Sequence, residues 1–188
     1  MEKDKNVIGL VGMPGSGKSL VVEAAMQVGY AVVVMGDIVR KETQKRGLKL
    51  TPKNVGQVML ELRELWGNGV IAEKCVSEIE RVKSENVIVD GLRSLYEVDV
   101  FKATFTKFTL IAIHASPETR FKRLYNRGRS DDSTELKVFR ERDQRELTVG
   151  LGNVIAMAEY VIVNEGSREE TNAKIEEVLS RVEEKWTK

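Results

Sequence analysis

Eight residues near the start of the chain restrict its fold more than any other feature. Gly12, Met13, Pro14, Gly15, Ser16, Gly17, Lys18 and Ser19 follow the pattern G-x-x-x-x-G-K-[S/T]. Such a loop brings main-chain N–H groups close to an anion, and a Cβ at Gly12, Gly15 or Gly17 would obstruct the approach. Apolar residues at Leu20, Val21, Ala24 and Ala25 then recur at a helical period. A helix there presents its positive N-terminal end to the same anion. Lys18 adds a mobile charge for the outer phosphates, and the Ser19 hydroxyl can ligate Mg²⁺. Residues 7–11, Val-Ile-Gly-Leu-Val, read as the strand that feeds the loop. Gly12, Pro14, Gly15, Ser16, Gly17, Lys18 and Ser19 are therefore the expected polyphosphate cradle.

Four more short runs, 30–34, 87–89, 108–113 and 160–163, are rich in Val and Ile and too short for helices. Strands buried on both faces have this composition. Between them, Thr51-Pro52 and Ser116-Pro117 each read as a helix N-cap followed by Pro at the first helical position. Ser94 with Glu97, and Ser167 with Glu170, have the spacing of capping boxes. Strands alternating with helices predict a three-layer α/β fold around a five-stranded parallel sheet. Five strands leave a surplus of helix over about 38–84, where a helical insert is expected inside a single domain (core 1–37 and 85–188).

Charge and cysteine content narrow the function classes. The 188 residues carry 30 Lys and Arg against 29 Asp and Glu, a net charge of +1, which argues against a globally basic nucleic-acid binder. Single-stranded nucleic-acid binding also lacks the interleaved aromatics it needs around residues 120–145. One cysteine, Cys75, permits no internal disulfide and suits a reducing, cytoplasmic setting. It lies in a helical pattern and reads as core, while the lone His114 reads as a hydrogen-bonded structural residue; no Cys/His cluster suggests zinc. No apolar run approaches the roughly 20 residues of a membrane span, and residues 1–6 are polar, so neither a span nor a leader is expected.

The run Val87, Ile88, Val89, Asp90 is a strand ending in a carboxylate, which can orient Mg²⁺ or its water beside the loop. With that residue the chain resembles the adenylate kinases. Gly36-Asp37-x-x-Arg40 is similar to their Gly-Asp-x-x-Arg, and Asp90-Gly91-Leu92-Arg93 to their Asp-Gly-Phe-Pro-Arg, with Leu for the aromatic and the Pro missing. Arg129-Ser130-Asp131-Asp132 with Arg140 is similar to their Arg-x-Asp-Asp and downstream Arg. Residues 158–167, Ala-Glu-Tyr-Val-Ile-Val-Asn-Glu-Gly-Ser, resemble the closing segment of dephospho-CoA kinases. The chain as a whole is similar to an archaeal family described as adenylate-kinase-related. The resemblance implies a P-loop NTPase fold of strand order 2-3-1-4-5, ATP and Mg²⁺, an acceptor-binding helical insert and a lid. The lid is short, about 127–140, because only one residue separates Arg127 from Arg129.

The resemblance implies that Lys18, Arg127, Arg129 and Arg140 serve the donor phosphates, Arg40 and Arg93 the acceptor phosphate, and Ser19 and Asp90 the metal. Asp37 could orient the acceptor oxygen or, through water, Mg²⁺. Arg120 and Arg145 read as solvated ion pairs, Arg123 reads either way, and Trp66 reads as core closing a helix. A small-molecule phosphotransferase follows, with a nucleoside monophosphate favoured over dephospho-CoA because Arg40 and Arg93 are both present. The rival from another class is a regulatory ATPase that acts through a protein partner.

Overall fold

The computed structural model describes residues 5–128 and 135–187. Five strands, β1 (Asn6–Val11), β2 (Ala31–Val34), β3 (Asn86–Asp90), β4 (Lys107–His114) and β5 (Tyr160–Val163), form one sheet of order β2-β3-β1-β4-β5. Every pairing is parallel; Val7 faces Val87 on one side and Phe108 on the other, and Leu10 faces Asp90. Each expected run is a strand, with bounds shifted by one residue or less. The order is the one that the resemblance implied.

Burial explains the composition of the runs. Val7, Ile8, Leu10, Val11, Val87, Ile88, Val89 and Leu110 are all fully buried, because the central strands carry helices on both faces. One face packs on α1 (Lys18–Gln27) and α9 (Arg168–Thr187) through Val21, Ala25, Ile175 and Val182. The other packs on α2 (Met35–Lys45), α4 (Val70–Arg81), α5 (Leu95–Thr104) and α8 (Leu151–Ala156), with α3 (Pro52–Trp66) joining the same cluster through Val58 and Leu62. Cys75 belongs to this cluster, and burial pushes its thiol up to about 12, as for an inert core residue.

The helix punctuation takes the predicted form. Thr51 accepts the N–H of Asn54, and Ser116 accepts that of Thr119 at the start of α6 (Pro117–Arg127). The Ser94–Glu97 box caps α5, and Ser167 and Glu170 bond reciprocally at the start of α9. Trp66 departs from expectation. It ends α3 and is 69% exposed, because Gly67 turns the chain there at φ +88° and no element covers the ring.

The chain runs from β1 outward to β2 and β3 on one side, then crosses to β4 and β5 on the other. The C-terminal ends of β1 and β3 therefore open at the point where the order reverses, the usual ligand crevice of such sheets.

Candidate active site

Two cavities meet at that crevice. The larger, about 610 Å³, is lined by Gly15, Gly17, Ser19 and Val22 of the loop and α1, and by Arg123 and Arg127 of α6. Arg142, on α7 (Leu136–Val149), completes it. The smaller, about 200 Å³, is walled by Met35, Val39, Met59, Ile71 and Leu92 and carries Arg40 and Arg63. Pro14, Lys18, Asp90, Arg93 and Glu146 line both.

The loop is shaped for close approach. Gly17 is the N-cap of α1 at φ 104°, and a Cβ there would lie 2.2 Å from Asn164 Nδ2. A Cβ on Gly12 would lie 2.6 Å from the Ile113 carbonyl oxygen. No acidic residue occupies the first turn of α1, so its N-terminal field stays positive. Lys18 Nζ donates to the Gly12 carbonyl at 2.7 Å, and burial lowers its pKa against the opposing pull of Asp90.

Asp90 shows the reverse. Burial raises its pKa, outweighing Lys18 and Arg93, and its Oδ1 is buried with no hydrogen-bond partner. Ser16 Oγ is likewise buried and unpartnered. A carboxylate left short of partners beside an anion cradle fits a cation brought in with its ligand. Among the described residues no group of three or more His, Cys, Asp or Glu could hold a metal alone. A single carboxylate facing the loop fits Mg²⁺, which takes one or two carboxylates and completes its shell with substrate phosphates and water. Ser19, exposed on the larger cavity, and Asp90 are the residues that would serve it.

The loop is braced from behind by three elements. Asn164, just past β5 and 2% exposed, donates Nδ2–H to the Ser16 carbonyl at 2.9 Å. Its Oδ1 accepts from Arg123 Nη2 and from Thr171 Oγ1, each at 3.0 Å. Arg123 is thus anchored at one nitrogen, while its Nη1 is buried and unpartnered on a residue that lines the larger cavity. Arg120, read from the sequence as a solvated ion pair, is instead 3% exposed. Its guanidinium grips both oxygens of Asp143 and donates to the Pro14 carbonyl at 3.1 Å and the Ala115 carbonyl at 3.2 Å. Phe139 lies 5.0 Å beneath it. The amphipathic face of α6 packs against the loop and α7, so the residue at the centre of that face is buried.

The other expected site residues divide. Arg93 lies at the junction, its Nε 3.4 Å from Glu146 Oε2, close enough for attraction but outside hydrogen-bond geometry. Arg40 lines the smaller cavity, and Asp37 holds its Nε at 2.9 Å. Asp37 itself is exposed and lines a separate groove beside β2 with Lys41 and Glu78, so it is not brought to Lys18. Arg127 lines the larger cavity from the end of α6. Arg140 is exposed and lines neither cavity. On α7 the inward face carries Phe139, Arg142, Asp143 and Glu146, at i, i+3, i+4 and i+7, and Arg140 falls off it. Arg145 is exposed, as is His114 at the end of β4, where its carbonyl accepts the N–H of Asn164. Arg129, Asp131 and Asp132 lie outside the described residues. Sequence reasoning missed Arg142, Glu146 and Asn164, and the period of α7 around Phe139 was the signal that could have found the first two.

Known proteins share this architecture. Residues 11–138 match the family model described as "AAA domain". A UPF0200 protein of Methanocaldococcus jannaschii is 49% identical over 178 residues, covering 94% of this chain and 90% of its own. A UPF0200 protein of Hyperthermus butylicus is 48% identical over 176 residues, covering 94% of each. Among solved structures, TT1252 from Thermus thermophilus superposes with a TM-score of 0.69 at 19% identity, over 95% of this chain and 98% of its own. Shikimate kinase from Acinetobacter baumannii in complex with shikimate gives 0.58 at 16%, over 94% of each chain, and a gluconokinase from Sinorhizobium meliloti 0.56 at 16%, over 100% and 98%. These likenesses show a shared fold, a five-stranded parallel sheet flanked by helices. Its identity to those two archaeal proteins over almost its whole length shows that the chain belongs to the UPF0200 family, with an AAA-domain core.

Proposed function

We propose that the chain is a Mg²⁺- and ATP-dependent phosphotransferase that moves the γ-phosphate of ATP to a nucleotide-like acceptor, with a nucleoside monophosphate preferred. The observation that carries this reading is the junction: Lys18, Asp90, Arg93 and Glu146 line a cation-rich cavity at the phosphate loop and a smaller one beside it that sets Arg40 and Arg63 against an apolar wall. A switch that only binds and hydrolyses ATP has no use for the second cavity.

In-line transfer asks the protein for position and charge. An acceptor phosphate oxygen forms a bond to the γ-phosphorus while the bond from that phosphorus to the β,γ-bridging oxygen breaks. ADP leaves with the electron pair. Loop N–H groups and the α1 N-terminus hold the donor phosphates, and Lys18 exchanges the Gly12 carbonyl for their outer oxygens. Arg123, Arg127 and Arg142 neutralise charge that gathers on the transferring group. Arg40 and Arg93 grip the acceptor phosphate in the geometry that guanidinium suits. Ser19 and Asp90 would hold Mg²⁺, which would supply charge neutralisation on the donor phosphates. The helical insert, about 38–84, binds the acceptor, and residues of about 127–140, Arg129 among them, act as a short lid.

The segment that resembles dephospho-CoA kinases does not argue for their acceptor. Its Asn164 bonds to the loop, so the shared residues serve loop support.

The test is ATP consumption in the presence of AMP, CMP, UMP, GMP or dephospho-CoA. One nucleoside monophosphate should stimulate turnover, and Lys18→Ala should lower kcat about 100- to 1000-fold. If no acceptor stimulates turnover and none raises the melting temperature, the reading is wrong.

A further inference from the structure

The smaller cavity carries a third guanidinium that the phosphotransfer reading leaves without a task. Arg63, in the last turns of α3, has a side chain only 11% exposed. Its Nη2 donates to Glu97 Oε1 at 2.9 Å, and the Glu97 side chain is 1% exposed. The other Glu97 oxygen accepts the N–H groups of Arg93 at 2.7 Å and Ser94 at 3.2 Å, which closes the α5 capping box. One carboxylate thus fixes Arg63 and the backbone of Arg93 together. Arg63 Nε is buried and has no hydrogen-bond partner.

This arrangement differs from the two phosphate arginines. Arg40 and Arg93 are 47% and 44% exposed and can turn toward an anion. Arg63 is held, and Glu97 has already balanced its charge within a desolvated pair. A phosphate brought to it would also face Glu97. What Arg63 retains is a directional N–H donor beside the apolar side chains of Val39, Met59, Ile71 and Leu92. A buried donor of this kind is matched by a neutral acceptor atom on a flat, apolar body.

We infer that Arg63 is a specificity-determining contact: its guanidinium donates an N–H to an oxo oxygen or ring nitrogen on the base of the acceptor nucleotide. The inference rests on the reading of this cleft as the acceptor site.

The test uses isothermal titration and initial rates with AMP, GMP, CMP and UMP, and titration with inorganic phosphate as a probe of the phosphate end alone. Arg63→Met leaves Glu97 buried without its partner, so it is paired with Arg63→Met/Glu97→Gln, in which Gln keeps the capping box. Both variants should raise Kd and KM for the preferred nucleotide about 10- to 100-fold, with ATP affinity and inorganic phosphate affinity unchanged. Unaltered nucleotide affinity, or an equal loss for inorganic phosphate, overturns the role of Arg63 and leaves phosphotransfer standing. A wild type that binds one nucleotide through Arg63 without consuming ATP keeps the contact and removes the kinase. Failure of the wild type to bind any of the four overturns both.

Discussion

The two cavities are built by opposite means. The larger cavity is founded on main chain, a loop at the end of β1, a Gly17 at φ 104° and the start of α1, faced by Arg123, Arg127 and Arg142. Its side chains from elsewhere, Asn164 and Arg120, hold that main chain still by bonding to the carbonyls of Ser16 and Pro14. The smaller cavity is made mostly of side chains from separate elements, with Arg40, Arg63, Ile71, Arg93, Glu146 and Leu151 each arriving on its own. A cradle of backbone N–H groups accepts any polyphosphate in one geometry. A cleft of converging side chains can be retuned one residue at a time.

This contrast breaks if the donor cradle does not depend on its braces. Arg120→Met removes the partner of a nearly buried Asp143 and the donor to two carbonyls. It should cost about 3–5 kcal/mol of stability, read by denaturant melts, and should weaken ATP binding more than acceptor binding. A smaller loss is expected at the second brace. Asn164→Ala strips the Ser16 carbonyl, Arg123 and Thr171 of a shared partner and should cost about 1–3 kcal/mol. Equal weakening of both substrates in either variant would mean that the two sides are one rigid body, contrary to the contrast drawn above.

The same contrast decides what could be read from the sequence. The cradle is local, so eight consecutive residues specify it, and the strands and caps are local too. Arg93 and Arg40 were legible because each follows a strand in a short motif. Arg120 was misread because its sequence neighbours, Thr119 and Phe121, say nothing of Asp143, 23 positions on. Arg63 and Glu97 are 34 positions apart, and only the fold brings α3 against the start of α5. Glu97 illustrates the limit well: the sequence shows a capping residue, and the structure shows that one of its oxygens is spent on something else. Arg140 stands at the position the resemblance assigns, yet the inward face of α7 presents Arg142, since a helix offers one face to a cavity and the two residues lie about 200° apart.

The smallest effect expected has the opposite sign, and it locates where the two sides meet. Asp90 is held above the usual carboxylate pKa, chiefly by burial and against the pull of Lys18 and Arg93. A carboxyl whose folded pKa is raised favours the folded state while protonated, below its unfolded pKa of about 3.9. That contribution is lost as pH rises through the folded value. Once ionised, Asp90 of the nucleotide-free protein is a buried carboxylate whose Oδ1 has no partner. Asp90→Asn should raise the melting temperature of the nucleotide-free protein at pH 7. The gain should shrink as pH falls and vanish near about pH 3, where the wild-type group is protonated in both states. With ATP and Mg²⁺ present the order should reverse, because the ion supplies the charge that the carboxylate awaits. A variant no more stable than wild type at pH 7 would show that Asp90 is compensated without ligand, and the junction would then lose its claim to a cation.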